Sequence, residues 1–583
     1  MLEMSFAYEG MEPAELIALL AAYKLKKRYH RLKDGSFVSL ESPEFTSTAN
    51  LVEQLGLTSA DLINKAVELP KYRAMYLDSM TRETTGFSIE RNSSFKRMVQ
   101  DIKEPQDMDY PVPLGIKGRL RDYQKTGFRW LKTLAHYGLG GILADDMGLG
   151  KTLQVIAFIL SEKGNDNKPS LVIAPTSLIY NWEEEVRKFA PELKVVVVSG
   201  QPNERQQRFS ELGEVDIVVT SYGLVKRDVE MYSSTEFKYC FVDEAQHIKN
   251  SHTLSAKSVK RIKAQGYFAL TGTPVENSLS ELWSIFDFLM PGYLLSQSKF
   301  TSTFDTPIVK YGDKHALQEL GRHIRPFILR RMKKDVLKEL PEKIESKLIC
   351  EMTKEQTKLY GAYMFRARQE FESEVNTHGF EQSRIKILAL LMRLRQICCH
   401  PSMFLEDYSG GSGKLEALLE ILTEGLSSGR RALVFSQFTT MLGLIGEELR
   451  KEKIDFFYLD GATPAEERMR MVNAFNAGEK AVFLLSLRAG GTGLNLTGAD
   501  MVIHVDPWWN PAVEDQATDR AYRIGQKNSV QVYKLLSRNT IEERIYELQE
   551  AKRALIDSVI TPGESLLTKM SEAEIRQLFV MQS

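Results

Sequence analysis

The chain has 583 residues, and single hydrophobic cores rarely grow past about 250–300, so two or more domains are expected. Hydrophobic residues make up 43% and charged residues 26%, the balance of a soluble globular protein, and no apolar run of about 18 residues suggests a membrane span. The 76 basic and 77 acidic side chains leave a net charge of −1, which argues neither for nor against nucleic acid, since a protein that grips and releases a polyanion needs only a local basic track.

The opening MLEMSFAYEGMEPAEL carries acids and no apolar stretch behind basic residues, so it does not read as a secretory signal. Met11–Tyr23 reads as a helix, with Leu16, Ile17, Leu19 and Leu20 as its apolar positions. The segment 28–40 alternates around Asp34-Gly35, a hairpin signal. Just before and into it, KLKKRYHR (24–31) is basic with aromatics interleaved, either a solvated face or a DNA contact. Ala60–Val67 reads as a further helix. Three prolines and two glycines in 101–118 place a boundary there, so 1–115 is taken as an N-terminal accessory region.

From about 119, short apolar runs alternate with amphipathic helices. They are GGILAD (140–145), SLVIAP (170–175), VVVV (195–198), DIVVTSY (216–222), YCFVDEA (239–245) and YFALTGTP (267–274). Such runs between helices imply a parallel sheet covered on both faces. Residues 280–425 read as mostly helical. The alternation then resumes with ALVFSQF (432–438), FFYLDG (456–461), AVFLLSL (481–487), MVIHVDP (501–507) and VQVYKLL (530–536), and a closing helix is expected over roughly 540–558. The expected fold class is α/β, with two RecA-like parallel-sheet lobes, helical insertions and a small N-terminal accessory region. The boundaries are a first, ATP-binding lobe at 116–290, a helical insertion and brace at 291–425, a second lobe at 426–560 and a tail at 561–583.

Three motifs carry chemistry. In DDMGLGKT (145–152), between a strand and an apolar helix, Gly148 and Gly150 let backbone N–H groups approach phosphate, Lys151 reaches the β and γ phosphates, and the Thr152 hydroxyl ligates Mg²⁺. Asp145 stands where a phosphate-binding loop usually has its first glycine; Asp146 is counted with the nucleotide-binding residues. Asp243-Glu244 follows an apolar strand, with Asp243 assigned to Mg²⁺ and Glu244 to activating the attacking water. Gln516, Arg520 and Arg523 fall at i, i+4 and i+7 on one helix face. That face is either a salt-bridged surface or a pair of arginine fingers reaching across a cleft, beside Gln516. Cys240, Cys350, Cys398 and Cys399 form no CxxC, and Cys398-Cys399-His400 reads as a packed helix end rather than a zinc site.

The order of these blocks resembles the Swi/Snf-type branch of superfamily-two helicase-like ATPases. LRDYQKTGFRWL (120–131), LVIAPTSLIYNW (171–182), VVTSY (218–222), DEAQHIKN (243–250), LTGTPVEN (270–277), RPFILRRMKKDVLKELPEK (325–343), LRQICCHP (394–401), YLDGATPAEER (458–468), LRAGGTGLNLTGAD (487–500), DPWWNP (506–511) and DRAYRIGQ (519–526) carry the resemblance. It implies that Gln124 reads the adenine, that the Asp145 departure is a family trait, and that Arg520 and Arg523 are fingers. It also implies DNA-side or coupling roles for Ser221, Thr271, Thr273, Arg488, Thr492 and Asn495. Trp508 and Trp509 are read as core or as a DNA-side wedge, and Arg330, Arg331, Lys333 and Lys334 as a lobe brace or a solvated helix face. The implied function is a DNA-stimulated ATPase that tracks double-stranded DNA, with ATP and Mg²⁺ as cofactors. The competing readings are a strand-separating helicase and a DNA- or RNA-polymerase-bound scaffold with weak ATPase. The expected setting is a monomer acting on DNA-bound proteins or RNA polymerase, without a membrane. It would be cytoplasmic and nucleoid-associated if bacterial, nuclear if eukaryotic. Residues 1–115 are read as the tail of a bacterial accessory domain. Because Lys151, Asp243 and Glu244 belong to one lobe and the arginines to the other, the lobes are expected to stand apart until DNA closes them.

Overall fold

The computed structural model describes all residues except 1, 5–11, 43–44, 47–48, 50, 53–54, 56, 59–60, 63–66, 84–90, 165–167, 273–277, 338–339, 488–493, 559–574, 577 and 579–583. In the N-terminal region β1 (Leu2–Met4) pairs antiparallel with β4 (Val67–Leu69), and β2 (Tyr29–Arg31) with β3 (Phe37–Ser39). The helix Pro13–Lys24 and the hairpin agree with the sequence pattern, but the end of the segment expected as a helix at 60–67 lies in β4. A helix at Arg73–Glu83 packs this region against the helix Lys314–Ile324, where the Tyr76 ring stacks on His323 with centroids 3.9 Å apart.

The first sheet takes β5 (Gly141–Leu143), β6 (Ser170–Ala174), β7 (Val195–Val197), β8 (Ile217–Ser221), β9 (Glu236–Asp243), β10 (Lys263–Leu270) and β11 (Ile328–Leu329) in the order β11-β5-β10-β9-β6-β8-β7. The second takes β12 (Lys343–Cys350), β13 (Ala432–Ser436), β14 (Phe456–Leu459), β15 (Val482–Ser486), β16 (Met501–His504) and β17 (Val530–Ser537) in the order β12-β17-β16-β13-β15-β14. Every pairing in both sheets is parallel. β5, β6, β8, β13, β15 and β16 are buried along their whole length, which is why they read as unbroken apolar runs.

The stretch read as helical insertion contributes two strands. β11 extends the first sheet and β12 edges the second, so the chain crosses between lobes at 330–342. Two long helices, Lys354–His378 and Phe380–Cys399, then pack against each other and against the closing helix Ile541–Ser558. Switch-point geometry places ligands outside the carboxyl ends of the strands in such sheets. Those ends, at Leu143, Asp243 and Leu270, lead directly into the phosphate-binding motif, the acidic pair and Thr271.

Candidate nucleotide site between the lobes

After β5 the chain turns through Gly148 (φ +84°) and Gly150 (φ +76°) into the helix Lys151–Ser161. Both angles lie in the left-handed region that favours glycine. Space demands glycine as well: a Cβ on Gly148 would lie 2.7 Å from Cβ of Arg523, and one on Gly150 2.6 Å from Nε2 of Gln124. The first N–H groups of a helix have no partner within it, which is how such loops cradle anions. Lys151 Nζ donates to the Asp145 carbonyl at 2.6 Å, which curls the loop around the ammonium.

Asp145 is fully buried. Its carboxylate accepts from Arg331 Nε at 2.7 Å and from Gln154 Nε2 at 3.1 Å, and it also meets Arg331 Nη2. Arg331 in turn donates to Gln154 Oε1 at 2.8 Å and to the Tyr123 carbonyl. The carboxylate therefore fixes the floor of the loop to a chain segment 186 residues away. Removing one partner of a buried pair strands the other charge, which costs about 3–5 kcal/mol. Asp145→Gly, although it restores the common motif, is accordingly expected to lower first-lobe stability by that amount in urea unfolding. Arg331→Met with Asp145→Asn is expected to recover part of it.

At the end of β9, Asp243 Oδ2 accepts from Trp182 Nε1 at 2.8 Å and its Oδ1 from the Glu244 N–H at 2.9 Å. Burial, and then the charge of Glu244, push the Asp243 carboxyl up to about 7, against the pull of the Trp182 hydrogen bond and of Lys151. Glu244 sits at φ +50°, a left-handed conformation that a non-glycine residue adopts at a cost of order 1–3 kcal/mol. Its Oε2 accepts from Gln246 Nε2 at 2.8 Å, and Gln246 Oε1 accepts from the Thr271 hydroxyl at 3.3 Å. A chain of polar contacts thus runs from Glu244 to the end of β10.

The second lobe meets this site directly, and the expectation of lobes held apart is not met in this structure. Arg520 is buried to 1% exposure, facing Glu244 and Asp243. Burial brings its guanidinium down to about 10, opposed by the attraction of Glu244, so it stays charged at neutral pH. Arg523 lies against Gly148, and burial lowers its proton affinity while Glu185 opposes the shift. The crossing segment ties the two halves. The Lys333 N–H donates to Asp146 Oδ2 at 2.9 Å, and its Nζ reaches the Tyr522 carbonyl at 2.6 Å and Asp519 Oδ1 at 2.7 Å. Of the basic run, Arg331 grips the loop of one lobe and Lys333 the arginine segment of the other.

Gln124 is held beside the phosphate loop by backbone. Its Oε1 accepts the Arg121 N–H at 2.9 Å and its Nε2 donates to the Leu149 carbonyl at 3.1 Å, so both ends of the amide are engaged by backbone. An open cleft of about 540 Å³ lies beside it, lined by Arg119–Tyr123 and Val336. Gln516 is half-buried, with an amide nitrogen that is buried without a hydrogen-bond partner.

Three of the residues read as DNA-side are buried in this conformation. Ser221 and Thr271 are 2% and 0% exposed, and Trp509 is packed among Tyr360, Phe371 and Ile387 under the Arg395 guanidinium, 5.2 Å from its ring. Trp509 thus packs in the core of the long helices in this structure. Trp508 is half-buried against the second-lobe core, and Asn495 is exposed. Thr273, Arg488 and Thr492 lie outside the described residues. The structure adds Trp182, Glu185 and Gln246, of which Trp182 and Gln246 stand inside blocks already visible in the sequence.

Two all-parallel sheets with a phosphate-type glycine loop and an acidic pair on one, and two arginines on the other, define the class of helicase-like, bilobal P-loop proteins. Similarity to known proteins narrows this. Residues 123–403 match the SNF2-related domain, 413–525 the helicase conserved C-terminal domain, and 1–113 the bacterial SNF2 helicase associated family. The chain belongs to the SNF2 family. It is 38% identical to YwqA of Bacillus subtilis, which carries the name of an ATP-dependent helicase/translocase, over 99% of this chain and 64% of that one. It is 36% identical to the TATA-binding protein-associated factor MOT1 of Saccharomyces cerevisiae, over 84% of this chain and 30% of that one. The chain therefore spans less than two thirds of the curated relatives it matches. The SWI2/SNF2 ATPase core of Sulfolobus solfataricus, solved in complex with dsDNA, is 40% identical and covers 82% of this chain and 100% of its own, with a TM-score of 0.41.

Proposed function

We propose that this chain is an ATP-dependent double-stranded DNA translocase that remodels protein–DNA complexes, hydrolysing ATP between its lobes under stimulation by DNA. The observation that carries the ATPase half is the meeting of Lys151, Asp243 and Glu244 from one lobe with Arg520 and Arg523 from the other in a single cleft. The glycine loop and Lys151 hold the phosphates, with Gly148, Gly150 and Asp146 shaping the loop. Glu244 takes the proton of the attacking water, and Arg520 and Arg523 balance charge that grows on the transferring phosphoryl group. Gln124, Gln516 and the cleft at 119–123 flank the rest of the nucleotide.

The donor set fits Mg²⁺. Thr152 and Asp243 offer hard oxygens, and among the described residues no group of three or more His, Cys, Asp or Glu side chains forms a metal cage. An ion that keeps several waters and shares phosphate oxygens suits so sparse a set. Bound there, it would polarise the phosphoryl oxygens and neutralise their charge. Metal binding needs the Asp243 carboxylate, whose proton affinity is centred near pH 7. Below that pH the proton competes with the ion. The Mg²⁺ concentration for half-maximal ATPase is therefore expected to rise by up to about tenfold per unit of pH below 7, and to flatten above about 8. A requirement that stays constant over about two pH units centred on neutrality would remove Asp243 from the metal role.

The duplex-tracking half rests on family membership and on the chemistry of the DNA-side blocks. Those blocks offer hydroxyls, glycines and cations suited to phosphate rather than base edges. The partners proposed are duplex DNA and proteins bound to it, RNA polymerase included, with the chain acting as a monomer in a bacterial cytoplasm. Duplex affinity is expected to fall steeply with salt and to vary little with sequence, measured by fluorescence anisotropy on unrelated duplexes. A strong preference for one short site at fixed salt contradicts it, and ATP-driven separation of the strands would make the protein a helicase instead.

A further inference from the structure

The accessory region carries a surface that the ATPase reading does not use. After the helix Pro13–Lys24, Leu25 and Lys26 (φ +57°) turn the chain into the β2–β3 hairpin. The Asp34 carboxylate holds its tip by accepting from the Ser36 N–H at 2.8 Å and the Ser36 hydroxyl at 2.6 Å. The register sets Tyr29 opposite Ser39, His30 opposite Val38 and Arg31 opposite Phe37. Strand side chains alternate, so Tyr29, Arg31 and Phe37 share one face and His30 and Val38 the other.

The inner face is accounted for: Val38 packs on the small core of Leu16, Leu19 and Leu40. The outer face is not. Tyr29 is 62% exposed and Phe37 69%, and Leu25 in the preceding turn is 71% exposed. The hairpin pairs with no third strand among the described residues. The Arg31 guanidinium lies 6.0 Å from the centre of the Phe37 ring. Lys24, Lys26 and Lys27 are exposed at the helix end and turn that lead into the hairpin, and no salt bridge ties them or Arg31 among the described residues. Arg28 and Lys33 by contrast meet Glu41 and Glu12.

We propose that this outer face binds single-stranded nucleic acid, with Tyr29 and Phe37 stacking on successive bases and Lys24, Lys26, Lys27 and Arg31 holding the phosphates. Diagonal cross-strand neighbours stand about 7–8 Å apart, a spacing open to adjacent unstacked bases. Two exposed rings on one sheet face, with Arg31 between the strands and lysines in the adjoining turn, offer the kind of stacking platform that single strands use. A duplex hides its base faces, so it can use the cations but not the rings. An anionic membrane is entered by a broad apolar helix face rather than by two rings on a hairpin.

The test uses the full chain with labelled oligo-dT, oligo-U and duplex DNA, read by fluorescence anisotropy, and bromouracil-substituted strands for photocrosslinking. Tyr29→Ser/Phe37→Ser is expected to weaken single-strand binding about tenfold or more. Duplex binding and duplex-stimulated ATPase should stay unchanged, because neither residue belongs to the cleft. Lys26→Glu/Lys27→Glu is expected to weaken the same strands more than it weakens the duplex. Crosslinks should map to 24–39. Loss on oligo-U alone identifies RNA as the ligand, and loss on both strands identifies any unpaired strand. Unchanged single-strand affinity in both variants overturns the proposal. So does a loss confined to the charge variant and equal on the duplex.

Discussion

An Arg520→Ala protein is expected to lose about 10³-fold or more of its DNA-stimulated ATP turnover while holding duplex DNA nearly as well as the parent, since an arginine finger is worth about 10³–10⁵ in rate. The size of the effect comes from burial. Arg520 is 1% exposed and faces Glu244 and Asp243, so neither water nor a mobile cation can take its place. Its partner Arg523 lies against Gly148 of the phosphate loop, and Arg523→Ala is expected to show a loss of the same kind. Arg520→Lys should recover only part of the activity, because an ammonium lacks the planar fork that engages two oxygens at once. Single-turnover hydrolysis and anisotropy with the same duplex separate chemistry from binding. If both alanine variants keep full stimulated turnover, the segment 516–526 is a salt-bridged surface and the finger assignment falls. In this arrangement the two guanidinium groups face carboxylates of the first lobe, Glu244 and Glu185. Phosphate must therefore compete with those carboxylates, which gives DNA something to shift even with the lobes already in contact: the population in which the fingers reach phosphate.

Glu244→Gln is expected to bind ATP normally and to hydrolyse it about 10²–10⁴-fold more slowly, the range of a general base. The side chain stays the same size and can keep its contact with Gln246, so the loss reports on the carboxylate. Near-normal turnover would take Glu244 out of the base role. The variant has a second, independent consequence. The charge of Glu244 is one of the causes that raise Asp243, so removing it should shift the acid limb of the Mg²⁺ requirement downward. The Glu244–Gln246–Thr271 chain of hydrogen bonds offers a route from this base to β10. Thr271 is the buried end of that route in this structure.

Much of this was legible because the buried strands have no polar face. The run LVIA at 171–174 is buried throughout, and the sequence shows that as an unbroken apolar stretch. β12 escaped for the opposite reason: KIESKLIC edges its sheet half-buried or exposed until its last residue, so it does not stand out in a segment that otherwise reads as helix. β11 is two residues long, too short for any period to show. The acidic pair and the glycine loop are local and could be read from spacing. The tie between Asp145 and Arg331 is not, because 186 residues separate them and nothing in either neighbourhood names the other. Trp509 illustrates a different limit. An adjacent Trp pair fits a core and a wedge equally well, and only its burial among Tyr360, Phe371 and Ile387 decides.

Two lobes that make one ATP site, with turnover governed by a duplex lying across them, should respond to nucleic acids unequally. The most direct measurement is steady-state ATP hydrolysis by the full chain with no nucleic acid, with single-stranded DNA, with duplex DNA and with RNA, at fixed salt. Turnover should be low alone and rise strongly with duplex DNA, to a level that single strands and RNA do not match. Turnover that is equal in all four conditions, or highest with RNA, contradicts it.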